Sequence, residues 1–140
     1  MTAADNLAIA QEFLHRLGSG GEPAAVAELF AENLEWDIPG DDSAFPWIGK
    51  HSGRQAVVSF LTETVEQIER IRLDLDDILA SDTRVVILGS LASRVKQTGK
   101  VIETYFAIIL TIADGQISRF QMMEDSFAVS RAAGGDVSHP

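Results

Sequence analysis

An α+β domain, with helices packed on one face of a strongly curved and mostly antiparallel sheet, is the architecture this sequence predicts. Three observations lead there. Apolar residues recur at helical spacing over most of the first 68 positions, with one short alternating segment between them. From Ile71 the period switches to two and holds to Glu124. Between the last two alternating runs stands Asp114-Gly115, the short pair that most favours a hairpin. Helices first and strands afterwards is an α+β order.

In the first helical segment, residues 5–17, Leu7, Ala10, Phe13, Leu14 and Leu17 share one stripe. Thr2 with Asp5 forms a capping-box variant ahead of it, and the glycines of GSGG at 18–21 stop it. A second helix is expected from Pro23, a favoured first-turn residue, with Val26, Leu29 and Phe30 on its buried face. NLEWDI at 33–38 alternates and predicts a short strand. A long loop rich in breakers, PGDDSAFPWIGKHSG, follows. Ser52 with Gln55 is expected to cap a third helix that runs to about Ile68.

Next, IRLDL at 71–75 reads as a strand, and Asp76-Asp77 predicts a bulge or bend. RVVILGSLASRV at 84–95, VIETYFAIILTI at 101–112 and QISRFQMME at 116–124 complete four antiparallel strands. Residues 130–140 have no periodicity and are expected to form a mobile tail, so a single domain over 1–130 precedes a tail at 131–140. A strongly curved sheet with helices across its concave side can leave a central pocket.

Composition bounds the function. A chain of 140 residues is one domain's worth. It has no cysteine, which excludes disulfides, thiolate nucleophiles and cysteine-bound zinc and fits a cytoplasmic location. The first residues carry no basic region followed by an apolar run, so no signal peptide is expected, and no apolar run is long enough to span a membrane. A net charge of −10 repels phosphate backbones and anionic headgroups, so neither nucleic acid nor membrane is an expected partner. The three histidines show no metal-ligand spacing, and there is no phosphate loop or nucleophile elbow. No metal and no cofactor is expected. Val85, Ile87 and Leu91 face opposite to Val86 and Leu88, so the sheet is apolar on both faces. One face meets the helices; the other needs a partner, which predicts a homodimer through the sheet.

The element order, with EPAAVAELFAENLEWDIPG, GKHSGRQAVVSFL and above all IADGQISRFQMMEDSFAV, resembles the nuclear transport factor 2-like superfamily over about residues 5–130. Within it the resemblance is to SnoaL-like and ketosteroid-isomerase-like members. It implies a cone, a bent sheet wrapped over three helices around an apolar pocket, usually dimeric through the sheet. The scaffold hosts isomerases, cyclases, dehydratases, epoxide hydrolases and proteins with no catalytic role.

Taken residue by residue, the polar groups of ketosteroid isomerases fall near Ile38, Leu14 and Ile108, all apolar here. Asp37 lies beside Ile38 but alternates to the other side. Nothing is left to stabilise an enolate in that way. Limonene-type epoxide hydrolases pair an Arg-x-Asp with a last-strand aspartate; this chain has Arg94-Val95-Lys96 and Asp125, so one of the two acids is missing. SnoaL-type polyketide cyclases depend chiefly on one aspartate near the end of the last strand, and Asp125 matches that place.

Glu124 and Asp125 are adjacent and should face opposite sides. Strict alternation groups Phe120, Met122 and Glu124, whereas the resemblance favours Asp125. Asp125 is taken as the pocket acid, with Glu124 in reserve; alternatively, Asp125-Ser126 caps the end of the strand or Asp125 pairs with Arg94. An inward carboxylate among Met and Phe side chains has a raised pKa, which suits a general acid. Arg94 and Tyr105 are candidates to orient it or to stabilise an oxyanion. Phe13, Leu14, Leu17, Trp36, Ile38, Phe45, Trp47, Phe60, Ile108, Phe120 and Met122 are the candidate ligand-binding residues. His51 is read as a loop histidine, His15 as surface, and Asp41-Asp42 as a solvated pair.

Two functions remain open. One is proton-transfer chemistry (cyclisation, isomerisation or dehydration) on an apolar polyketide-, terpenoid- or steroid-like molecule. The other is a non-catalytic ligand-binding or dimeric assembly module; epoxide hydrolysis is a lesser alternative. The discriminating feature is a second polar group within hydrogen-bond reach of the inward carboxylate.

Overall fold

Thr2 opens the first helix as expected: its hydroxyl accepts from the Asp5 N–H at 3.1 Å, and the Asp5 carboxylate accepts from the Thr2 N–H at 2.9 Å. The protein is described by a computed structural model covering residues 2–134. Its elements are α1 (Ala3–Gly18), α2 (Pro23–Ala27), β1 (Phe30–Ile38), β2 (Gly49–Ser52), α3 (Gln55–Gln67), β3 (Ile68–Ala80), β4 (Arg84–Val95), β5 (Val101–Ala113), β6 (Gln116–Glu124) and α4 (Ser126–Ala133). The six strands form one curved, unclosed sheet in the order β2-β1-β6-β5-β4-β3. Only the β1–β6 pairing is parallel; the other four are antiparallel.

Four local expectations need correction. Helix α2 ends at Ala27, and Phe30 begins β1 rather than finishing the helix. The reason is tertiary. The Ile117 N–H donates to the Leu29 carbonyl at 2.9 Å, and the Phe30 ring packs edge-on to Phe13 at 5.6 Å. Ser52 does not cap α3, because it lies in β2 opposite Glu35; Arg54 holds the N-cap position without a side-chain bond. Strand β2 itself went unread, since GKHS sits among breakers with no apolar alternation. Residues 130–133, expected in a tail, belong to α4, which buries Val129 and Ala132. Residues 135–140 of that expected tail lie outside the described residues.

Curvature has identifiable causes. Register shifts interrupt the β3–β4 pairing between Arg70 and Arg72 and between Leu75 and Asp77, where the Asp76-Asp77 pair predicted a bend. Opposite the second shift, Gly89 is pressed so closely that a Cβ there would lie 2.3 Å from the Asp74 carbonyl oxygen and 2.7 Å from the Phe106 ring. At the β5–β6 hairpin both central residues have positive φ, 53° at Asp114 and 78° at Gly115, as a tight two-residue turn requires.

The helices cover the concave face. Ala10, Phe13, Val26 and Val57 pack with Val85, Ile87, Leu110, Ile117 and Phe120 in one core. Buried Asn6 donates its amide to the Ser81 carbonyl at 3.0 Å, tying α1 to the β3–β4 turn. The convex face carries half-buried Val86, Leu88, Ala107 and Ile109, with exposed Leu79, Tyr105 and Met123 beside them. Among the described residues no helix is long and apolar enough to cross a membrane.

Candidate functional site

Directly paired residues of neighbouring strands project to the same face. Phe106 is paired with Glu124, Ile108 with Met122 and Leu110 with Phe120. Phe106, Leu110 and Phe120 are core residues, so Glu124 points to the concave side. Its carboxyl is half-buried, and desolvation pushes its pKa up to about 7. Among the described residues no hydrogen bond or salt bridge reaches that carboxyl. The discriminating feature therefore comes out as a lone inward acid.

Asp125 does something else. The strand ends at Glu124, and the Asp125 carboxylate turns back to accept from the Ala128 N–H at 3.0 Å, capping α4. Its own N–H donates to Thr104 Oγ1 at 2.8 Å. The residue is exposed and lines a hollow of about 430 Å³ with Arg72, Ser90, Glu103, Thr104 and Tyr105. The choice of Asp125 as the inward acid is thus corrected to Glu124. Alternation, a property of the pleat, ran unbroken to the strand's last residue.

The two expected helpers do not join Glu124. Tyr105 precedes Phe106 on β5, projects to the convex face and is 82% exposed. Arg94 is exposed near the end of β4, with Nε 3.4 Å from Glu69 and Nη1 donating to the Gly99 carbonyl at 3.1 Å.

The aromatic candidates pack against one another within the core or at its margin. Phe120 stacks on Trp36 with centroids 4.4 Å apart and meets Phe13 and Phe30 at 6.4 Å. Phe45 stacks on Trp47 at 4.6 Å. Phe13, Trp36, Ile38, Phe45 and Phe120 are all buried, so they act first as core. Leu14, Leu17, Phe60, Ile108 and Met122 are partly buried at the margin of that core. Of these, Ile108 and Met122 lie in the cross-strand row next to Glu124. Phe30 belongs to the same aromatic cluster but was missed, because helical spacing drew it into α2.

Asp41 is not a free loop acid either. It accepts from the Ser130 hydroxyl of α4 at 2.6 Å and from the Ser43 N–H at 3.1 Å, which lowers its pKa. That bond holds α4 to the β1–β2 loop. A second hollow, of about 440 Å³, lies between this loop, β2 and α3; its walls include Trp36, Trp47, His51, Gln55, Ser59, Phe60 and Glu63. Sequence reading did not single out Gln55, Ser59 or Glu63 as a group, although their four-residue spacing on α3 was visible.

The curved α+β fold matches a known family. The family model described as a SnoaL-like domain matches residues 10–120, and the chain belongs to that family. It is 31% identical over 109 residues to "Patulin biosynthesis cluster protein F" of Penicillium expansum, covering 76% of this chain and 55% of that protein. "Patulin synthesis protein F" of Aspergillus clavatus is also 31% identical, over 110 residues, covering 76% and 56% of the two chains. This chain thus spans about half the length of these curated relatives. Among solved structures, an NTF2-like protein from Burkholderia xenovorans superposes with a TM-score of 0.85 at 26% identity, covering 95% of this chain and 98% of that one. A structure described as a putative SnoaL-like polyketide cyclase from Mesorhizobium loti shares the fold, with a TM-score of 0.69 at 19% identity over 87% and 98% of the chains.

Proposed function

We propose that this SnoaL-like domain carries out proton-transfer chemistry on a small apolar molecule, with Glu124 as the acid–base group. One observation carries this reading. A carboxyl that faces the concave side, unpaired and desolvated to a pKa of about 7, holds both protonation states in quantity near neutral pH. The neutral form donates to a carbonyl or departing hydroxyl oxygen; the ionised form accepts a proton from carbon next to a carbonyl. Isomerisation, dehydration and aldol cyclisation each need one or both of these steps. The flanking Phe106, Ile108 and Met122 offer no hydrogen bonds from their side chains, so they suit an apolar polyketide-, terpenoid- or steroid-like substrate. The patulin-synthesis names of two relatives support a role in small-molecule biosynthesis.

The lone state of Glu124 also favours a second reading, a binding module that uses the same face without turnover. Epoxide hydrolysis has less support, since Arg94 is engaged with Glu69 and Asp125 with α4. In either of the first two readings, we propose that a second copy covers the convex strip of Val86, Leu88, Ala107 and Ile109.

Glu124→Gln separates the two main readings. On a substrate found by screening cyclic ketones and polyketide mimics, the catalytic reading expects turnover to fall at least about 100-fold with binding retained. In the native protein kcat should follow a group of pKa near 7. Unaltered turnover in a folded Glu124→Gln protein refutes the assignment.

A further inference from the structure

The sheet is unclosed, and its two edges differ. β2, at one end of the strand order, is four residues long and gives another chain little to pair with. β3, at the other end, runs for 13 residues, and every residue from Glu69 to Asp77 is exposed. Its outer backbone groups face no strand among the described residues. We infer that the middle of β3 is a self-association edge, on which a second copy of this chain adds its own β3 antiparallel and extends the sheet.

The charge pattern identifies the occupant. Around Leu73 the sequence reads Arg70-Ile71-Arg72-Leu73-Asp74-Leu75-Asp76, basic on one side and acidic on the other. When two copies of one strand pair antiparallel about a two-fold axis, their residues are opposed in reversed order. With Leu73 opposite the partner's Leu73, Arg72 stands opposite the partner's Asp74, and Asp74 opposite the partner's Arg72. Ile71 then stands opposite the partner's Leu75. Centring the pair on Arg72 or on Asp74 instead sets a charge against its own copy. Natural edges are protected by charges that repel a copy of themselves, lysine above all. Here the reversal of sign at Leu73 turns that repulsion into attraction.

Local structure prepares the contact. Asp74 shares a cross-strand row with Ser90 and Tyr105 on the convex side. Arg72 Nη1 donates to Asp74 Oδ2 at 2.5 Å and to Ser90 Oγ at 3.0 Å. A second copy closes this exposed ion pair into a ring of alternating charges. On the other side of the strand, Leu73 and Leu75 are 42% and 45% exposed, and pairing removes part of that apolar surface from water. Beyond this stretch the match ends. Register shifts between Arg70 and Arg72 and between Leu75 and Asp77 bend the strand at both ends, and Glu69 would meet the partner's Asp77. The contact is therefore short and weak, open at micromolar concentration and populated when the chain is concentrated.

Sedimentation equilibrium from about 10 µM to about 1 mM tests it. The mean mass should rise across that range. It should rise equally in Leu88→Asp, because Leu88 lies on the convex strip outside this stretch, so failure of that pairing and failure of this one are told apart. Arg72→Asp and Asp74→Arg each set like charges against each other, and each should weaken the association at least about tenfold. Mixed in equal amounts, the two variants again oppose Arg to Asp across the edge, and the mixture should regain the native association. The Arg72–Asp74 pair within each chain stays broken in both, so the recovery reports contact between copies alone. No rise in mass, variants that associate as the native chain does, or a mixture no better than its parts overturns the inference.

Discussion

Replacing Glu124 by Gln should stabilise the protein, and by an amount that grows with pH. An ordinary glutamate here would titrate at 4.5, and burial raises the folded-state pKa to about 7. Below 4.5 the carboxyl is protonated in both folded and unfolded chains, and the ionisation makes no difference. Between the two values the unfolded chain releases its proton while the folded chain keeps it, so stability falls as pH rises. Above about 7 both states are ionised and the full cost of a buried carboxylate is present. A shift of that size corresponds to about 3 kcal/mol, of which about 2 kcal/mol develops between about pH 5.5 and 8. The amide keeps the shape and has nothing to ionise. Urea denaturation of both proteins across that range measures the difference, and the other acids cancel in it. The Glu124→Gln protein should gain about 2 kcal/mol relative to the native one from the acidic to the alkaline end. Parallel curves would show that Glu124 is hydrated in the folded state, and the desolvation argument would fail with them.

Asp125→Ala should cost about 1 kcal/mol through loss of the α4 cap, whereas Asp125→Asn should cost little, because asparagine caps equally well. Neither change should alter the pH dependence of stability or turnover attributed to Glu124; a turnover loss confined to Asp125 variants would return the acid role to that residue. Gly89→Ala should destabilise by about 3 kcal/mol, since its methyl would meet the Asp74 backbone at 2.3 Å and cannot be relieved by a side-chain rotation. Thermal melts decide it, and an unchanged midpoint contradicts the close packing. For the convex face, sedimentation at micromolar concentration should return a dimer mass and Leu88→Asp a monomer; a monomeric native protein refutes the pairing.

Periodicity carried most of this architecture. The alternation from Ile71 to Glu124 located four strands, Asp114-Gly115 located their last turn, and Asp76-Asp77 marked a real register shift. Where cues were weak or contested, tertiary contact decided. Phe30 has helical spacing with Val26, yet Phe13 and the Leu29–Ile117 hydrogen bond draw it into a strand. GKHS has no strand pattern because an edge strand of four largely exposed residues needs none. At the site, the pleat identified the inward acid correctly, and a positional match to the family moved the choice by one residue. Asp125-Ser126 ahead of an apolar stripe was a helix-capping signal all along. The hollow beside α3 was not legible, because loop, strand and helix meet there only in three dimensions.

The single parallel pairing has a consequence for how the chain acquires its shape. β1 ends at Ile38 and its parallel partner begins at Gln116, so the sheet is not joined until nearly the whole chain is present. The β3–β4–β5 meander closes over short turns and can form locally. β1 and β2 must wait for β6, and the stacking of Trp36 on Phe120 is formed only at that late step. A nascent chain halted before β6 would hold the β1–β2 pair and the β3–β4–β5 meander with no strand to join them. The blue shift of Trp36 emission on burial, read in a Trp47→Phe protein, should therefore lag behind β-structure by circular dichroism during refolding, marking the moment at which the two ends of the sequence meet.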